Sequence, residues 1–114
     1  MVAIHDGARP FISVEKINEL VVSASKNGAA APGVVPKDTV KLIDKNNLVQ
    51  KTIARNSLRL IQTPQVFHAD KLRIANEKAI SSGFLGTDDC SIMENAGFQV
   101  HIIEGEYTNI KVTT

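Results

Sequence analysis

Alternation between two hydrophobic periods constrains this chain more than any single motif. Met1 to His5 is a short apolar run that ends in the polar cluster Asp6-Gly7-Ala8-Arg9-Pro10. Behind it, Ile17, Leu20, Val21 and Ala24 fall at i, i+3, i+4 and i+7, which is one face of a helix. Ser13 is a residue type that caps helix N-termini, and Asn27-Gly28 a pair that ends helices. Ala29 to Val35 predicts a buried strand whose ladder Pro32 and Gly33 weaken. Thr39 to Ile43 and Leu48 to Ile53 flank the turn residues Asp44-Lys45-Asn46-Asn47, which predicts a β-hairpin over 39–53. Leu58 to Gln62 predicts a short strand closed by Thr63-Pro64-Gln65. A second helix is expected from about Asp70 to Ser82, with Leu72, Ala75, Ala79 and Ile80 on one face and Gly83 as its stop. Thr87 is expected to cap a third, short helix that Gly97 ends, with Asp88 and Asp89 in its first turn. Gln99 to Glu104 and Asn109 to Thr113 are the last strand-like runs. This order implies α/β layers around a central sheet.

Composition narrows the function classes. With 114 residues, of which 43% are hydrophobic and 22% charged, the chain has ordinary globular usage and about one domain's length. Thirteen Lys and Arg against twelve Asp and Glu leave no basic excess for generic nucleic-acid binding. No apolar run approaches the ~20 residues of a membrane span, and MVAIHDGARP is not a basic-then-apolar leader. One cysteine, Cys90, excludes an internal disulfide framework, and a reducing, cytoplasmic setting is expected. Nucleic acid and membrane are not expected partners.

Familiar catalytic constellations are weak. His5, His68 and His101 lack metal-ligand spacing, and Cys90 lies inside a predicted helix, where a small core residue is the ordinary reading. The seven glycines form neither a GxGxxG nor a GxxxxGK[ST] phosphate loop. Four polar clusters stand at predicted element ends, where α/β folds place ligands: Asp6 to Pro10, Thr63-Pro64-Gln65, Thr87-Asp88-Asp89 and Asn109-Ile110-Lys111. Taken singly, each is ordinarily a turn, a helix cap or a solvated lysine.

The clusters gain meaning in their fixed order. Ile4-His5-Asp6-Gly7-Ala8-Arg9-Pro10-Phe11 is followed by Val35-Pro36-Lys37-Asp38-Thr39-Val40-Lys41, Arg55-Asn56 and Gln62-Thr63-Pro64-Gln65-Val66-Phe67. Gly86-Thr87-Asp88-Asp89, Glu104-Gly105 and Asn109-Ile110-Lys111-Val112-Thr113 complete the series. The whole pattern resembles the 2-C-methyl-D-erythritol 4-phosphate cytidylyltransferases of the non-mevalonate isoprenoid pathway. It aligns with the C-terminal part of that family, whose members are roughly twice as long. The resemblance implies a Rossmann-like nucleotidyltransferase sheet with helices on both faces and a projecting β-arm. On that reading, residues 1–114 are the C-terminal part of a single domain, truncated at the N-terminus, and 38–62 are the arm and its return.

The resemblance also implies a reaction and residue roles. The phosphate of the methylerythritol phosphate attacks the α-phosphorus of CTP with Mg²⁺ assisting, and pyrophosphate leaves. Asp6 matches a family aspartate at the sugar-phosphate and metal end, Gly7 a backbone position along the nucleotide, and Arg9 an arginine near the polyol. Thr63 and Thr87 match threonines that hydrogen-bond the polyol phosphate. Lys111 matches the lysine near the substrate phosphate and the CTP phosphates, and Arg55 an arginine that the arm delivers to a second subunit. A homodimer through the arm is therefore implied, with Lys111 and Arg55 as the catalytic cations.

The family's Gly-rich triphosphate loop and its cytosine-reading residues lie upstream of His5, and its last helix lies beyond Lys111. The expectation is a fragment with little or no turnover by itself. Two alternatives stand beside the enzyme reading. One is a pentitol (ribitol) 5-phosphate cytidylyltransferase, which shares the reaction. The other is a non-catalytic dimerisation or polyol-phosphate binding module, which the missing loop favours.

Overall fold

A computed structural model describes residues 1–113. The elements are β1 (Val2–Ile4), α1 (Val14–Asn27), β2 (Ala29–Val34), β3 (Val40–Ile43), β4 (Val49–Ile53), β5 (Leu60–Ile61), β6 (Gln65–Phe67), α2 (Ala69–Ser82), α3 (Asp89–Asn95) and β7 (His101–Glu104), with a single 3-10 turn at Arg55–Ser57. Five strands form the main sheet. β6 lies antiparallel between β1 and β2, and β7 runs parallel to β2. β3 and β4 form a separate antiparallel pair, the hairpin expected over 39–53.

Parity along β2 explains the layers. Ala29 and Ala31 face a core with Phe67, Leu72, Ala75, Cys90 and Met93, so α2 and α3 cover one face. Ala30 and Val66 pack with Leu20 and Ala24 of α1 on the other. Three successive alanines at 0% exposure let helices approach both faces of one strand. Pro32 does not break the ladder. It lies opposite the interruption between β5 and β6, and its carbonyl accepts from Gln62 N at 2.9 Å. β5 and β6 are halves of one interrupted strand along β2, with Thr63 and Pro64 bulged between them. The Thr63–Pro64 peptide is cis.

Helix ends follow from local chemistry. The Ser13 hydroxyl accepts from Lys16 N; at the other end the Gly28 N–H donates to Ala24 O at 2.7 Å, and φ +95° at Gly28 turns the chain out of the helix. Four expectations need correction. Asp88, not Thr87, caps α3, because its carboxylate accepts from Ser91 N at 2.8 Å while the Ser91 hydroxyl bonds back to Asp88 N. Ile80 is 82% exposed, and the buried stripe of α2 is Leu72, Ala75 and Ala79. Gln65 does not belong to a turn. It begins β6, a three-residue strand buried on both faces and too short for any periodic signal. Residues 109–113 make no strand, because the chain beside them is the 6–9 loop and, among the described residues, Val112 N to Ala8 O is the one backbone–backbone hydrogen bond between the two. No helix among the described residues is long and apolar enough to cross a membrane.

Candidate active site

β1 and β7 both run parallel to β2, so their carboxyl ends meet at one end of the sheet, where open α/β sheets bind ligands. The chain leaving β1 turns at once. Arg9 N donates to Asp6 O at 3.0 Å, and Asp6 Oδ1 accepts from Ala8 N at 3.0 Å. An aspartate opening a turn does this because its short side chain reaches the amide two residues on. The bulge before β6 then brings Thr63 alongside, and its hydroxyl accepts from Asp6 N at 2.9 Å. His5 Nδ1 lies 3.0 Å from the same hydroxyl, and its Nε2 lies 2.8 Å from Arg9 O.

A third segment closes the cluster. Arg9 Nη1 donates to Asn109 O at 2.7 Å, and Asn109 Nδ2 donates to Thr63 O at 2.9 Å. Lys111 Nζ stands 3.2 Å from Asp6 Oδ2. The Ala8 N–H, then Lys111, hold the Asp6 carboxyl below its ordinary 3.8, more than burial raises it. Asp6 is thus an ionised hard-oxygen donor that could serve as one ligand of a magnesium ion, the rest coming from phosphates and water. No group of three or more His, Cys, Asp or Glu side chains that could hold a metal occurs among the described residues.

Asp6, Gly7, Arg9, Thr63 and Lys111 therefore lie together. Thr87 lies on an exposed loop tied to the same strand. Gln65 Nε2 donates to Asp88 Oδ2 and Gln65 Oε1 accepts from Cys90 N, each at 3.2 Å. With Asp88 and Ser91 making the cap, the Thr87 hydroxyl is left out of it. Arg55 stands apart at the base of the hairpin, where its guanidinium donates to the Lys37 carbonyl. Cys90 is a core residue. Burial, and then Asp88, Glu94 and Asp89, push its thiol up to about 12, so it is no nucleophile.

Sequence reasoning missed the supporting residues Gln62, Gln65 and Asn109 as a set. All three are buried polar side chains, and burial of a polar residue has no signal in a single sequence. A cavity of ≈ 550 Å³ lies elsewhere, between Gly33 and Val34, Ser57 and Arg59 at the hairpin base, and Glu104 and Tyr107.

Comparison with known proteins follows the same line. A family model described as "IspD: 2-C-methyl-D-erythritol 4-phosphate cytidylyltransferase" matches residues 1–114. A 2-C-methyl-D-erythritol 4-phosphate cytidylyltransferase of Caldanaerobacter subterraneus subsp. tengcongensis is 49% identical over 114 residues, covering 100% of this chain and 50% of that protein. Its counterpart in Geobacillus kaustophilus is 51% identical over 115 residues, with the same coverage. The crystal structure of 4-diphosphocytidyl-2C-methyl-D-erythritolsynthase from Anaerococcus prevotii superposes with TM-score 0.92 at 39% identity, covering 99% of this chain and 52% of that one. The chain spans about half the length of the curated relatives it matches.

Proposed function

The chain belongs to the 2-C-methyl-D-erythritol 4-phosphate cytidylyltransferase family, and on that premise we propose that it forms the polyol-phosphate side of an enzyme that transfers a cytidylyl group from CTP to 2-C-methyl-D-erythritol 4-phosphate. A phosphate oxygen of the polyol attacks the α-phosphorus of CTP. A P–O bond forms, the bond to the β-phosphate bridge breaks, and pyrophosphate leaves with 4-diphosphocytidyl-2-C-methyl-D-erythritol as the other product. The nucleophile is already an anion, so no strong base is required. The protein's task is to bring two polyanions together and offset their repulsion.

One observation carries this reading. Three segments distant in sequence, 5–9, 62–63 and 109–111, converge through hydrogen bonds on the Asp6–Lys111 pair. Lys111 is the point charge between the two phosphates. Arg9 and the threonines Thr63 and Thr87 hold the polyol phosphate. Open space of at least 4 Å over Gly7 leaves the backbone face free for the nucleotide. Magnesium bound at Asp6 would withdraw charge from the phosphates. Arg55, exposed on the base of the arm, reaches the substrate phosphate of a second subunit, where its fork suits bidentate binding.

The test is an assay of the enzyme containing these residues with CTP, Mg²⁺ and either methylerythritol phosphate or ribitol 5-phosphate. Pyrophosphate release is expected with the first at the higher kcat/KM. Preference for ribitol 5-phosphate would move the substrate to the pentitols, and release with neither would leave only a binding module.

A further inference from the structure

Asn109 is the most buried polar side chain of the described core, at 0% exposure, and the site residues meet on it. Its Nδ2 donates to Thr63 O at 2.9 Å and Gln62 Oε1 at 3.3 Å. Its own carbonyl accepts from Arg9 Nη1 at 2.7 Å, and its N–H closes a turn onto Glu106 O at 3.0 Å. Gln62 Nε2 donates to Glu106 O as well, at 2.9 Å, so the 106–109 turn is tied twice to the bulge. Lys111 follows two residues later.

We propose that Asn109 is a positioning residue for the polyol phosphate: it sets the spacing between Arg9, Thr63 and Lys111 without touching substrate. This rests on the reading above, in which those three contact the substrate. The contacts run between the segments that carry the site residues. The Asn109 amide ties its own segment to the 62–63 bulge, and its carbonyl holds Arg9. Supporting hydrogen bonds of this kind hold binding groups within the narrow tolerance that catalysis needs.

The test is Asn109→Ala in the enzyme containing these residues, assayed with each substrate varied in turn. The KM for methylerythritol phosphate should rise about ten-fold, the scale of one buried hydrogen bond, while the KM for CTP moves less than two-fold. Asn109→Asp keeps the size but replaces the donating amide with a carboxylate oxygen facing Thr63 O, and should give the same selective rise. Equal changes in both KM values, a loss that merely tracks the folded fraction, or unfolding of both variants would overturn the proposal. Failure of the unmutated enzyme to transfer a cytidylyl group would overturn the underlying reading instead. An active enzyme without the selective rise defeats only the role of Asn109.

Discussion

The wall that carries Asp6, Arg9, Thr63 and Lys111 and the arm built from β3 and β4 stand at the same end of the sheet, yet they are held in opposite ways. The wall is joined by bonds across great sequence distance, from Arg9 to Asn109 and from Asp6 to Thr63. The arm is joined almost wholly to itself. Asp44 organises its turn through Asn46 N and Leu48 N, and Lys41 Nζ reaches Thr52 Oγ1 across the pair at 2.8 Å. Asp6, Arg9 and Thr63 of the wall are half-buried and rest on the buried side chains of Gln62 and Asn109, whereas Leu42, Ile43, Leu48 and Val49 of the arm are 44–64% exposed. A two-stranded ribbon with an apolar surface is marginal alone. The wall is organised by its own fold, and on the reading proposed above the arm would be completed by a partner.

The largest expected effect separates charge in the wall from stability. Lys111→Ala should lower kcat/KM about 10²–10³-fold, the scale of removing one electrostatic donor at a reacting centre. Its side chain is 53% exposed, so unfolding free energy should change by no more than about 0.5 kcal/mol. Activity within ten-fold of the parent, or a collapsed fold, would refute the assignment. The same variant carries a signed pH prediction. Asp6 ionises below its ordinary 3.8 when folded, so its stabilising contribution is complete above that value and lost as pH falls through the folded one. Without Lys111 the Asp6 pKa should rise only part of the way back, because the Ala8 N–H bond is the larger cause and remains. An NMR titration of the Asp6 carboxyl showing no upward movement would contradict this.

What the sequence made legible follows the same division. Periodicity marks α1, α2 and the hairpin because each has an apolar stripe or an alternation long enough to repeat. β6 carries no such signal, since Gln65, Val66 and Phe67 are buried together. The sequence points to Thr87, one residue before the cap at Asp88, because Thr87, Asp88 and Asp89 are all competent capping types and only the reciprocal bond with Ser91 decides between them. Resemblance located Asp6, Arg9, Thr63 and Lys111, but their junction through Gln62 and Asn109 depends on a bulge that tertiary packing creates. The family pattern puts Arg55 on the arm, and within one chain its guanidinium meets only the Lys37 carbonyl among the described residues.

Arg55 gives the next effect. Arg55→Ala should weaken binding of the sugar phosphate about 10–100-fold, the scale of a charge-assisted hydrogen bond. Mixed dimers sharpen the comparison. If the arm serves the neighbour, a heterodimer of Arg55→Ala and Lys111→Ala chains contains one site with both cations and one with neither. It should regain about half the parent activity. No recovery in verified heterodimers would assign Arg55 to its own chain's site or to none.

The smallest effect on the chain itself is the most telling about the arm. Leu48 is 64% exposed and Val49 56%, beyond the turn that Asp44 already closes. Leu48→Ser with Val49→Thr removes apolar surface that the single chain does not bury, so monomer stability should stay within about 0.5 kcal/mol. In a dimer the same side chains would be covered, and each is worth about 1.5–3 kcal/mol when fully buried. Sedimentation over a concentration series should therefore show dimer dissociation moving to higher concentration by ten-fold or more, while thermal unfolding of the dissociated chain is unchanged. A large drop in monomer stability would mean that the arm packs on its own body. Unchanged association would mean that the partner surface lies elsewhere.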